Sequence, residues 1–221
     1  MALNLPTFLT VLRLLSAPGI AVAFLVLPHP YADWTALSLF IAASATDWFD
    51  GFLARAWKQE TKLGAMLDPI ADKAVVLCAL LTLAAFWQPA YLIVLPAALI
   101  VFREVFVSGL REFLGEAAGR LKVTRLGKWK TTAQMVAICV LFAKGIVEQS
   151  LFERIVGLDT ALYDAILSGA EDDPLGIRLR TTLIDGLRLG GLALLWIAAI
   201  LTVLSGWDYF RKALPLLAGP K

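Results

Sequence analysis

Long apolar runs separated by short polar breaks dominate the chain. Six stretches stand out, at about 8–27, 34–57, 62–87, 89–113, 130–147 and 183–206. Runs of roughly 20 residues suit helices that cross a hydrocarbon layer about 30 Å thick. Pro28-His29-Pro30 closes the first, and the polar turn Lys58-Gln59-Glu60-Thr61 separates the second from the third. None alternates strictly between apolar and polar residues, which excludes a membrane barrel. The pattern predicts an all-α polytopic membrane protein with six spans.

Composition supports this. Of 221 residues, 59% are hydrophobic and 17% charged, against about 45–50% and about 25% in soluble domains. The net charge of +2 is too small to argue for a nucleic-acid partner. Cys78 and Cys139 each sit inside an apolar run, which argues against a metal site or a disulfide. His29, the single histidine, receives no role. The first apolar segment is too long for a cleavable signal and lacks a cleavage site. Trp34, Trp57, Trp87, Trp129 and Trp207 fall near span ends, as an interfacial aromatic belt would.

Lysine and arginine collect between spans two and three, between spans four and five, and at the carboxyl end. By the positive-inside rule, these segments and both termini are expected in the cytoplasm. The chain reads as one membrane-embedded domain over 1–221, with 148–182 an acidic insertion on the other side. Within that insertion, Leu151 to Leu167 space their apolar residues at helical intervals. A helix lying on the outer surface and an insertion with a packing role both fit.

Asp47, Asp50, Asp68 and Asp72 interrupt spans two and three. An ionised carboxylate is costly in an apolar layer unless something balances it. Asp47 and Asp50 are three apart and Asp68 and Asp72 four apart, so each pair shares one helix face. If the two helices fold back at the Lys58–Thr61 turn, all four acids lie at similar depth, roughly 10–15 Å from the turn. Such a cluster needs cations. An oxygen donor set without His or Cys suits hard divalent ions, magnesium or manganese, and two ions could share four acids. Gly51, Ala54 and Gly64 keep the helix faces small, for a ligand or for plain packing. Arg55 suits a phosphate oxygen, or snorkels at a helix end.

The spacing Asp47-x2-Asp50-Gly51-x2-Ala54-Arg55-x8-Gly64-x3-Asp68-x3-Asp72 resembles the signature of the CDP-alcohol phosphotransferases at all eight positions. The resemblance implies a six-helix membrane fold, a homodimer and a two-metal site where an alcohol displaces CMP from a CDP-linked donor. The segments Asn4–Arg13, Arg103–Phe113, Leu126–Met135 and Leu204–Phe210 resemble the branch that uses glycerol 3-phosphate. Thr7 stands where that branch commonly has asparagine. With this resemblance come the expected substrates, CDP-diacylglycerol and glycerol 3-phosphate. Asp72 is implied as the base that takes the acceptor proton. Pro6, Thr7, Asp50, Gly51, Arg55 and Thr61 are the candidates for the nucleotide and diphosphate.

Arg103, Arg111, Lys128 and Lys130 flank the cytoplasmic ends of spans four and five. A cationic cluster at that level suits a phosphorylated acceptor, although some of these charges serve topology. The rival acceptors are inositol phosphate and phosphatidylglycerol. A rival of another class is a cation pathway, but transporters often repeat their broken helices in both halves, whereas these acids crowd into one hairpin. Gly186 and Gly190 form a small-residue pair suited to close helix packing within or between subunits.

Overall fold

A computed structural model describes residues 4–57, 61–87, 89–120 and 125–217, without the side chains of 47–57, 118, 120 and 125–128. The described residues form seven α-helices: α1 Leu5–Val26, α2 Tyr31–Trp57, α3 Lys62–Phe86, α4 Tyr91–Leu114, α5 Arg125–Ile155, α6 Thr160–Ser168 and α7 Ile177–Leu217. A 3₁₀ turn, Gly115–Arg120, follows α4. Among the described residues there is no strand.

Local chemistry sets the helix ends. Pro6 sits in the first turn of α1, where its missing N–H costs nothing. Thr61 caps α3 by accepting a hydrogen bond from the Gly64 N–H at 3.0 Å. Gly115 and Gly169 end α4 and α6 with φ of 52° and 84°, values that favour glycine.

Five helices, α1, α3, α4, α5 and α7, are long and apolar enough to cross a membrane among the described residues. The remaining long helix, α2, has 27 residues, about 40 Å at 1.5 Å per residue. Large apolar side chains point outward along the bundle, with Leu15, Leu25, Leu81 and Phe102 all more than half exposed. That outer surface suits lipid, and the chain is an integral membrane protein.

Small residues dominate the inside. Ala17, Ala36, Ala79, Ala137 and Ala198 are buried in one cluster with Ile20, Phe40, Leu80 and Phe142. In lipid, tight packing rather than water exclusion brings helices together. At Gly191 of α7, an added Cβ would lie 2.7 Å from Leu141 of α5. Gly191 makes that close approach within the chain, whereas Gly186 and Gly190 have open space where a side chain would go.

α1 packs along both α2 and α3, while the turn-side part of α2, where the hairpin would bring the acids together, lies outside the described side chains. The insertion differs from a continuous surface helix. Residues 151–155 extend α5, Gly157 turns the chain at φ 82°, and Asp159 caps the separate α6. Leu151, Ile166 and Ile177 bury one another in a small second cluster, which is a packing role.

Candidate functional site

Polar residues recur one turn apart along α1, at Thr7, Thr10 and Arg13, and all three are buried. Each faces a polar residue of α3 or its cap. Thr7 and Thr61 share a hydrogen bond between hydroxyls at 2.8 Å. Beside them, an added Cβ at Gly64 would lie 3.1 Å from Thr61 Oγ1 and 3.4 Å from Thr7 Oγ1. One turn on, the Thr10 hydroxyl reaches Asp68 Oδ1 at 3.1 Å and the Pro6 carbonyl at 3.1 Å. One turn further, Arg13, 2% exposed, lines a narrow gap with Ser44 and Asp72. A charged side chain so deep in an apolar helix is costly, and it lies beside Asp72, whose opposite charge offsets it.

Asp72 is exposed on its other side. It opens on a cavity of about 90 Å³ lined also by Lys73, Glu104, Lys130, Thr131 and Gln134. Glu104 organises the cations here. Its Oε1 accepts from Lys130 Nζ at 2.5 Å and from Arg103 Nη1 at 3.0 Å. Arg103 also donates to Ser205 of α7 at 3.3 Å. Its stem crosses Gly206, where a Cβ would come within 2.7 Å of Arg103 Cγ. Lys73 donates to Ser108. One carboxylate thus holds two cations from different helices and leaves positive charge over for an anion.

Several residues expected from sequence are therefore brought together: Thr7 with Thr61, and Asp68 and Asp72 on one face of α3, with Asp72 beside Lys130. Pro6 is buried at the same end. Arg111 is near enough for its charge to act on Lys130, but it points elsewhere than Glu104. Its guanidinium lies 5.2 Å over the ring of Tyr209 on α7, because it sits two turns beyond Arg103. The side chains of Asp47, Asp50, Gly51, Arg55 and Lys128 lie outside the described residues, although all five positions are helical. No cluster of three metal-ligating side chains occurs among the described residues. Asp68 and Asp72 supply oxygen donors one turn apart without His or Cys beside them, a donor chemistry that fits a hard divalent ion.

Sequence reasoning missed Thr10, Arg13, Glu104 and Ser205. The three-residue spacing Thr7, Thr10, Arg13 in an otherwise apolar helix was a usable signal. Glu104 was visible as an acid inside a span next to Arg103. Ser205 gave none.

Long lipid-facing helices with acids and cations gathered at one end define a polytopic membrane protein with a polar site sunk into the bundle. The family model described as CDP-alcohol phosphatidyltransferase matches residues 3–165, and the chain belongs to that family. A relative from Cereibacter sphaeroides, named CDP-diacylglycerol–glycerol-3-phosphate 3-phosphatidyltransferase, is 54% identical over 221 residues, 99% of each chain. Relatives of the same name from Sodalis glossinidius and Haemophilus influenzae are 46% and 44% identical over 143 and 140 residues. These matches cover 64% and 62% of this chain and 78% and 75% of the relatives. The Cereibacter match runs through 148–182, so that segment is not peculiar to this chain.

Proposed function

We propose that this chain transfers the phosphatidyl group of CDP-diacylglycerol to glycerol 3-phosphate, forming phosphatidylglycerol phosphate and CMP. The observation that carries this reading is the cavity in which Asp72 meets Lys130 and Glu104. A carboxylate able to take a hydroxyl proton stands beside cations able to hold the acceptor phosphate. The name and full-length match of the Cereibacter relative support it.

Lys130 and Arg103 bind the acceptor phosphate, and Asp72 takes the proton from the acceptor hydroxyl as it attacks the phosphorus that bears diacylglycerol. The bond to the CMP oxygen breaks and CMP departs. Asp47, Asp50, Asp68 and Asp72 would hold two Mg²⁺ or Mn²⁺ ions, whose charge would offset that gathering on the diphosphate oxygens. Thr10 fixes the Asp68 carboxylate. Thr7, Thr61 and Gly64, with Pro6, Gly51 and Arg55, form the donor side. Arg111 and Lys128 complete the basic approach for the acceptor.

The whole chain acts as one catalytic unit in the bacterial inner membrane. Its site and both termini face the cytoplasm, its 148–182 segment faces the other side, and it works as a homodimer. The basic loops between spans two and three and between spans four and five support that orientation.

The test is CMP release by purified protein in detergent with CDP-diacylglycerol. Glycerol 3-phosphate, inositol phosphate and phosphatidylglycerol are offered separately, each with Mg²⁺, Mn²⁺ or chelator. Release with glycerol 3-phosphate alone, abolished by chelator, is expected. Faster release with either other acceptor would overturn the acceptor assignment, and metal-independent release would overturn the ion site.

A further inference from the structure

The far end of the bundle carries a second polar cavity, unconnected with the chemistry above. Phe24, one of its walls, lies 17 residues after Thr7 on α1, about 25 Å along the helix axis. That is close to the depth of a hydrocarbon layer, so this cavity belongs to the opposite membrane face. Its volume is about 340 Å³, within the range of about 300–1,000 Å³ common for small-molecule sites.

Charges of both signs line it. Asp33, 3% exposed, pairs with His29 one turn before it. Lys144, 6% exposed, pairs with Glu148 one turn after it and lies 4.3 Å over the ring of Trp87. The two pairs are neighbours, because the Asp33 carboxylate fills the notch at Gly145, where it leaves no room for a Cβ. Phe24, Phe86 and Phe152 give the cavity apolar walls.

Two pairs that served only each other would not need this space. Lys144 has three N–H donors and gives one to Glu148. His29 meets Asp33 through Nδ1, leaving Nε2. On the acid side, Glu148 has a second oxygen, and its side chain is 55% exposed. A simple anion would meet Asp33 and Glu148, and a simple cation would meet Lys144. A ligand carrying both charges meets neither penalty. The acids are hydrogen-bond acceptors, which favours an ammonium with N–H groups over a quaternary one. The cavity lies where the α1–α2 and α3–α4 turns meet the membrane surface, the level of lipid headgroups, and its aromatic walls suit the adjoining glycerol and upper acyl carbons.

We propose that this cavity binds the headgroup of a zwitterionic phospholipid of the opposite leaflet. The phosphate lies on Lys144, and the primary ammonium on Glu148 and Asp33.

The test is native mass spectrometry of the full chain in detergent with phosphatidylethanolamine, phosphatidylglycerol or soluble phosphoethanolamine. Wild type is compared with Lys144→Met and Glu148→Gln, and CMP release serves as the check on folding. The expected result is one retained phosphatidylethanolamine that falls at least tenfold in each variant while CMP release stays within twofold. Glu148→Gln changes a half-exposed side chain, so the proposal stays testable if Lys144→Met folds poorly. Retention unchanged by Glu148→Gln would overturn the proposal. So would a Lys144-dependent fraction as large for phosphatidylglycerol as for phosphatidylethanolamine. Phosphoethanolamine bound as tightly as the lipid would overturn the lipid as its source.

Discussion

Both ends of this bundle bury charge, and they do it differently. At the far end, His29 pairs with Asp33 and Lys144 with Glu148, each within one turn of chain. At the aspartate end the bonds run between helices: Thr7 to Thr61, Thr10 to Asp68, Lys130 of α5 to Glu104 of α4, and Arg103 of α4 to Ser205 of α7. A pair within one turn survives small movements of its neighbours. A bond between helices holds only while the helices keep their spacing. The aspartate end therefore trades robustness for position, which suits a site that must set reacting atoms to within a fraction of an ångström.

The sharpest way to break this contrast is Asp72→Asn, set against Glu148→Gln. Loss of the base should lower kcat by about 10²–10⁴-fold, measured as CMP release, whereas the far-end change should leave it nearly unaltered. Similar losses in both variants would erase the distinction. Lys130→Ala should come next, raising KM for glycerol 3-phosphate by about tenfold while KM for the lipid moves little. Equal rises would mean that the Glu104 cluster is not the acceptor side. Thr10→Val should be milder. It removes a hydrogen bond to a carboxylate, a contact worth about 1.5–3 kcal/mol. The Mg²⁺ or Mn²⁺ concentration for half-maximal activity should rise, with the fold intact by thermal melt.

The smallest effect is expected at Asp173, in the loop before α7. Burial alone would raise this carboxyl. The Ile177 and Arg178 N–H groups, at 2.7 and 3.0 Å, and the Arg178 guanidinium outweigh burial and hold it below the usual carboxylate range. Its folded value is depressed, so its stabilising share is complete above the unfolded carboxyl value. That share fades as pH falls through the folded value. Melting curves of wild type and Asp173→Asn should separate at neutral pH and converge in acid. A gap that widens in acid would reverse the assignment.

Which parts of this were legible in the sequence follows from the same contrast. Apolar runs located α1 to α4 to within three residues, because burial in lipid is a property of the segment itself. They fell short for α5 and α7, expected over 130–147 and 183–206 but running Arg125–Ile155 and Ile177–Leu217. A helix does not stop at the lipid boundary, and polar turns beyond it keep their backbone bonds. Trp87 looked like a belt residue from its position alone. It is buried beneath Lys144, a contact between helices that no local pattern predicts. The pairing of Asp68 with Asp72 was readable from its four-residue step, but the thirty-five- and fifty-eight-residue links from Lys73 to Ser108 and from Thr10 to Asp68 were not.

One further consequence concerns α7. Its 41 unbroken residues make a rod about 60 Å long, roughly double the oily layer it must pierce. It is rooted in the small cluster at Ile177 and reaches past Ser205 and Gly206, which seat Arg103. Such a rod is a strut: the cluster at one membrane face and the seat of the guanidinium near the other belong to a single continuous helix.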